Sequence, residues 1–393
     1  MLELNDATEM TEELLQAVLD AYPNERIGQA KSRLRSAWMR EPLADRIPWV
    51  IYPTPPVDPP DLPETVPEER KDLIVQLLSM LKHSPWGDAY VPGLAPGIRQ
   101  VLIPSYFGCV EESAEGSIRV KPIISDPSSV YSLPECGFGA GTIGGQMLDK
   151  VKFFLDATRG LLPVYEPDIQ GPFSVASQIW GVEDFLLALY EHPAEVKHLI
   201  ERCTEALLLF LQKLREIAGE NLISFHCPTA VWYPPELGLA YSEDLMAVIS
   251  PSAAREYIAP SLDRISSELG GSVLHSCGAI NHLAGELSGR PGLKGVNFAS
   301  SETDLPAFLR DADRRLNLVV HNSPVGCRDL PILDAEGHAS FCARAFSEAD
   351  VQGVCVILFG ISDLDPTTHS PIIADILKVG RESRPSSFLG DIS

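Results

Sequence analysis

Residues 250–278 read SPSAAREYIAPSLDRISSELGGSVLHSCG. Ser250 suits a helix N-cap, and the apolar positions from Pro251 to Leu269 recur at helical spacing. Gly270 and Gly271 stop that helix, and the short apolar run Ser272–His275 after them suits a strand. Outward in both directions the chain repeats this alternation. Pro193 to Ala218 reads as a long helix, with proline suited to its first position and Gly219 to its stop. Val196, Leu199, Ile200, Cys203, Leu207, Phe210, Leu211 and Leu214 mark its buried stripe. Strand-like runs lie at 161–165, 221–225, 295–298, 316–321 and 354–359. Strands alternating with helices imply a parallel sheet with right-handed crossovers, and the repetition favours an α/β fold closed as a (β/α)8 barrel.

Two helical patterns, 11–19 and 25–39, precede the apolar run 47–52. A proline-rich connector, YPTPPVDPPDLPETVPEE, follows and resists helix formation until after Pro67. Residues 1–65 therefore read as an N-terminal helical extension lying against a barrel over 66–393, because their apolar surface is too small for an independent core.

The chain has 393 residues, 45% of them hydrophobic, with a formal charge of -23. That acidity argues against nucleic-acid binding, since phosphate contacts need lysine and arginine. No apolar run is long enough to suggest a membrane span. The acidic, amphipathic start is unlike a targeting segment. Eight cysteines scattered through a chain of this size suggest reduced thiols and a cytoplasmic location.

An imidazole and a thiol two residues apart, just past a strand, point to the same side. His275 and Cys277 can therefore grip one soft cation, and zinc accepts such mixed nitrogen and sulfur ligands. The C-terminal end of a strand that leads into a helix lies at the mouth of a parallel barrel, where such folds keep their chemistry. His226, at another strand end, is a candidate substrate contact, and Arg99 is a candidate partner for a carboxylate or phosphate. Gly139 to Gly144 matches G-x-G-x-x-G, but Pro134 spoils the strand that a dinucleotide site needs, so a turn is the better reading.

Two longer stretches carry a family resemblance. DIQGPFSVASQIWGVEDFLLALYEHPAEVKHLIERCTEAL, residues 168–207, resembles the substrate loop and following helices of the uroporphyrinogen decarboxylase superfamily. SEDLMAVISPSAAREYIAPSLDRI, residues 242–265, followed by VLHSCG, resembles the segment leading into the metal site of its cobalamin-dependent methyltransferases. The arginine signature of true decarboxylases has no counterpart; the nearest region reads RSAWMREPLADRIPWV.

The resemblance implies a (β/α)8 enzyme that moves a methyl group between a corrinoid (cobalamin) and a small thiol or folate acceptor. Zinc would be held by His275 and Cys277. The corrinoid would come free or on a corrinoid-binding protein, and the apolar helices leave room for a homodimer. Asp168, Gln170 and Asp244 would line the substrate mouth, with Asp168 and Asp244 as the catalytic acids. Relatives place a third ligand, a cysteine, after the last strand, whereas the corresponding LFGISDLDP has none. Cys327 in HNSPVGC is the favoured substitute and His321, also a candidate substrate contact, the second, while Glu302 lies a few residues from the place of an acidic ligand. The alternatives are a decarboxylase of a tetrapyrrole or other polycarboxylate, and a non-catalytic corrinoid-binding barrel.

Overall fold

The computed structural model describes residues 4–51, 57–97, 101–114, 117–223, 225–226, 231–312, 315–323, 325–326, 330–358 and 364–379. It is a mixed α/β structure around a six-stranded sheet. In spatial order the strands are Trp49–Ile51, Val354–Leu358, Asn317–His321, Leu293–Ala299, Ser272–His275 and Leu239–Ser242, each parallel to its neighbour. They are buried almost throughout, as expected of parallel strands covered on both faces.

Two extended segments carry the hydrogen bonding from one edge of this sheet to the other. Ala89 N donates to Trp49 O, and Tyr165 N donates to Leu94 O, each at 2.9 Å. Beyond Tyr165 the chain reaches the opposite edge, where Gly171 N donates to Ser242 O at 2.7 Å and Ser242 N to Ile169 O at 2.9 Å. These bonds, with the parallel pairing of Val164–Tyr165 and Leu222–Ile223, link the segments to both edges of the sheet in a barrel-like arrangement.

Trp49–Ile51 lies within residues 1–65, yet it is a strand of the sheet rather than part of a covering extension. The helices before it, Leu4–Ala21 and Asn24–Trp38, are also tied inward. The Tyr22 hydroxyl lies 3.0 Å from His83 Nδ1, while His83 Nε2 lies 3.1 Å from the buried Asp88 carboxylate. Asp88 in turn accepts from Ile51 N at 2.9 Å. At the far end of the second helix, Trp38 Nε1 donates to Trp232 O and Trp38 O accepts from Asn317 Nδ2. Among the described residues, no helix is long and apolar enough to cross a membrane.

The helix over Pro193–Ala218 has its stripe buried, with Gly219 as its C-cap. The run 251–269 is not uniform. A short α-turn at Pro251–Ala253 leads into a π-turn, Ala254–Ile258, before regular helix resumes over Ala259–Leu269. Pro260 has no N–H to donate back along the helix, and its ring would crowd the carbonyl one turn earlier. The wider turn just before it relieves that conflict. Gly238 and Gly271 then bring two neighbouring strands close together. Gly238 has φ of +89°, and a Cβ there would meet Gly271 O at 1.9 Å, so only glycine fits. Those strands carry the site.

Candidate metal centre

The strand Ser272–His275 brings His275 to its C-terminal end, level with Ser242 on one neighbouring strand and Asn297 on the other. Cys277 follows two residues later, and Asp244 follows two residues after Ser242. One ligand atom each from Asp244, His275 and Cys277 falls within 4.8 Å of the others. His275 Nε2 is 3.3 Å from Cys277 Sγ and 3.8 Å from Asp244 Oδ1. Asp244 Oδ1 also accepts from Cys277 N at 2.8 Å, which ties the two strand ends together. His275 is buried, while Cys277 is exposed.

Asn297 fixes which nitrogen of His275 faces the cluster. Its Nδ2 donates to Val319 O at 2.7 Å and also faces His321 Nδ1 at 3.2 Å, so its Oδ1 must be the atom 2.5 Å from His275 Nδ1. His275 Nδ1 is therefore the donor, and Nε2 presents a lone pair toward Cys277 and Asp244. This is the orientation that a metal-binding histidine takes from an outer hydrogen bond.

Acidic groups surround the pair. Asp168 Oδ1 accepts from Ser242 Oγ at 3.3 Å, Gln170 Nε2 donates to Asp244 Oδ2 at 3.3 Å, and Glu302 Oε2 accepts from Gly278 N at 3.1 Å. Partial enclosure of the Cys277 thiol, followed by the charges of Asp244, Glu302 and Asp168, pushes its pKa up to about 12. Burial raises Asp168 to about 6, with His275 opposing the shift and Asp244 adding to it. Carboxylates crowded together repel one another, and would repel a thiolate among them, unless a cation joins them. A divalent ion removes that repulsion and takes the thiolate form of the sulfur, so the donor set fits a dication such as zinc.

Most residues singled out in the sequence come together here: Asp168, Gln170, Asp244, His275 and Cys277. Asp244, expected in the substrate mouth, stands as the third donor within reach. His321 lies two strands over from His275, its ring centroid 6.0 Å from that of His275, and connects to it through Asn297 on the strand between. Cys327 and Arg99 lie outside the described residues. His226 is in the short hairpin that pairs Phe225–His226 with Val231–Trp232, and its side chain also lies outside them.

Sequence reasoning missed Asn297, Glu243 and Glu166. Asn297 is a polar residue inside the apolar run 295–298, which is the one signal it gives. Glu243 is buried beside Asp244, and its oxygens accept from Phe173 N, Ser174 N and Ser174 Oγ at 3.1, 2.9 and 2.8 Å. Burial raises its pKa to about 7 against those hydrogen bonds.

Glu166, buried and 3.1 Å from the donating Tyr233 hydroxyl, is raised by burial to about 8, with Arg215 opposing. The folded chain thus keeps a proton on Glu166 that the unfolded chain releases near pH 4.5. Its contribution to stability falls as pH rises from about 4.5 to about 8 and levels off above that. Glu166→Gln should remove the slope. Urea melts at pH 5 and pH 8 should show the variant gaining about 1 kcal/mol or more on wild type at the higher pH. A difference that is constant with pH would contradict this.

Residues 147–319 match the family model of uroporphyrinogen decarboxylase (URO-D). Among solved structures, a methyltransferase from Methanosarcina mazei superposes with a TM-score of 0.60 at 17% identity, covering 88% of this chain and 97% of that one. A 3-keto-D-glucoside 4-epimerase from E. coli gives a TM-score of 0.30 at 12% identity, over 58% of this chain and 83% of that one. No curated protein matches the sequence. The first likeness extends the fold over nearly the whole chain.

Proposed function

From the premise that residues 147–319 carry a uroporphyrinogen decarboxylase-type domain on a methyltransferase-like fold, we propose that this protein is a zinc-assisted methyltransferase. It moves a methyl group between a corrinoid and a small acceptor, a thiol or a folate. The observation that carries this reading is the convergence of Asp244, His275 and Cys277 at neighbouring strand ends.

His275 Nε2, Cys277 Sγ and a carboxylate oxygen of Asp244 are the atoms that would hold the ion, with Cys327 a further candidate donor. When bound, zinc supplies the charge that ionises an acceptor thiol at neutral pH, and the corrinoid supplies or takes the methyl group. The chain's own residues do the positioning. Asn297 orients His275, Gln170 steadies Asp244, and Asp168 sits where it can accept a proton displaced from the acceptor. Methyl transfer needs in-line approach, so holding the acceptor in place supplies much of the rate. The three carboxylates around Cys277 disfavour a polycarboxylate substrate, which weighs against the decarboxylase reading.

Zinc content and methyl transfer test the proposal together. Purified full-length protein dialysed against zinc should retain about one ion per chain. With free methylcobalamin and a panel of small thiols or folates, it should consume the methylcobalamin absorbance faster than the acceptor alone. Absence of retained zinc overturns the metal-site reading. Retained zinc and bound cobalamin with no methyl transfer to any acceptor would favour the non-catalytic barrel.

A further inference from the structure

Glu243 is fully buried, and its carboxylate accepts from the start of the helix Pro172–Trp180. That helix has no side-chain cap of its own, because Gly171 occupies the N-cap position. A serine or aspartate at 171 would be the local solution to its orphan N–H groups. The space is already taken: a Cβ on Gly171 would lie 2.2 Å from Glu243 Oε1. The chain instead supplies the cap from a different strand, at the cost of burying a carboxylate.

The consequence is a link between segments far apart in sequence. Through its side chain Glu243 holds Phe173 and Ser174, and through its main chain it donates to His275 O at 2.9 Å. Ser174 Oγ, which donates to Glu243, is itself 3.5 Å from Leu245 N. Immediately before the capped helix, the arm carrying Asp168 and Gln170 pairs with Ser242. Immediately after Glu243 comes Asp244, which accepts from both Gln170 and Cys277.

We propose that Glu243 is the positioning residue of this centre: its carboxylate on the helix N-terminus holds Asp244 and the Asp168–Gln170 arm in place against His275 and Cys277. The inference rests on the metal-site reading above and adds a residue that touches neither ion nor substrate. Outer groups that orient metal ligands typically change affinity by about 10- to 100-fold when lost.

Cobalt(II) titration of the full chain, read by its visible absorption, reports both affinity and ligand geometry. Hydrogen exchange over residues 168–174 in the metal-free protein reports the arm. Glu243→Gln keeps the shape but turns an amide N–H toward the helix N-terminus. It should weaken cobalt binding about tenfold or more, change the cobalt spectrum and speed exchange in the arm. Gly171→Ala, which displaces the carboxylate without removing it, should act in the same direction. Ser174→Ala keeps both backbone bonds and should give a smaller shift, about threefold.

Wild-type affinity, spectrum and exchange in folded Glu243→Gln and Gly171→Ala would overturn the proposal. If those two do not fold, Ser174→Ala decides it, since unchanged cobalt binding and exchange there would also overturn it. Failure of wild type to bind cobalt sinks the metal-site reading instead, and the exchange measurements then decide the role of Glu243.

Discussion

Cys277→Ser should weaken zinc binding by about 100- to 1,000-fold and abolish methyl transfer at ordinary zinc concentrations. A full set of zinc ligands is worth roughly 10–16 kcal/mol, so one strong donor accounts for about 3–4 kcal/mol. A serine hydroxyl does not replace a thiolate at neutral pH. The fold should survive, because Cys277 is exposed and the backbone bond from residue 277 to Asp244 does not need the sulfur. Competition with a chromophoric chelator measures the affinity, and near-wild-type circular dichroism checks the fold. Retention of wild-type zinc affinity would remove Cys277 from the centre and leave His275 and Asp244 as two donors too few for a tight site.

The second large effect is expected at Asn297, which no ion or substrate need touch. Asn297→Leu preserves volume but removes the acceptor of His275 Nδ1 and the side-chain bond to Val319 O. The His275 ring then loses both its fixed tautomer and its fixed plane. Metal affinity should fall about 10- to 100-fold. Stability should fall as well, by about 1–3 kcal/mol, for the buried hydrogen bonds that the side chain no longer makes. The two effects separate experimentally: adding excess zinc restores activity lost through affinity but does not restore the urea midpoint of the metal-free protein. If excess zinc leaves the activity low, Asn297 does more than orient its neighbour.

What could be read from the sequence follows from how far apart the interacting residues lie. The helix at 193–218 was legible because its apolar stripe is local, and His275 with Cys277 because two residues separate them. Asp244 was legible as a site residue but not as a donor, since its meeting with Cys277 depends on the pairing of Ser242 with His275 across two strands. Asn297 depends on the register of the next strand over. Glu243 reads in the sequence as an ordinary surface acid, and its burial depends on a glycine about seventy residues earlier. The π-turn before Pro260 was hidden because helical periodicity tolerates one extra residue in a turn. The segment 89–94 was missed because glycine and proline break its apolar run, although its backbone still bonds to both neighbours.

The pairing of Trp49–Ile51 with Val354–Leu358 has a consequence for how the protein is made. Trp49–Ile51 finds one of its partners only after about 300 further residues have been synthesised. Until then one apolar edge of the nascent sheet stays open, and a neighbouring polypeptide could pair with it. Pairing on that side thus waits for those residues, and the edge needs shielding until they appear.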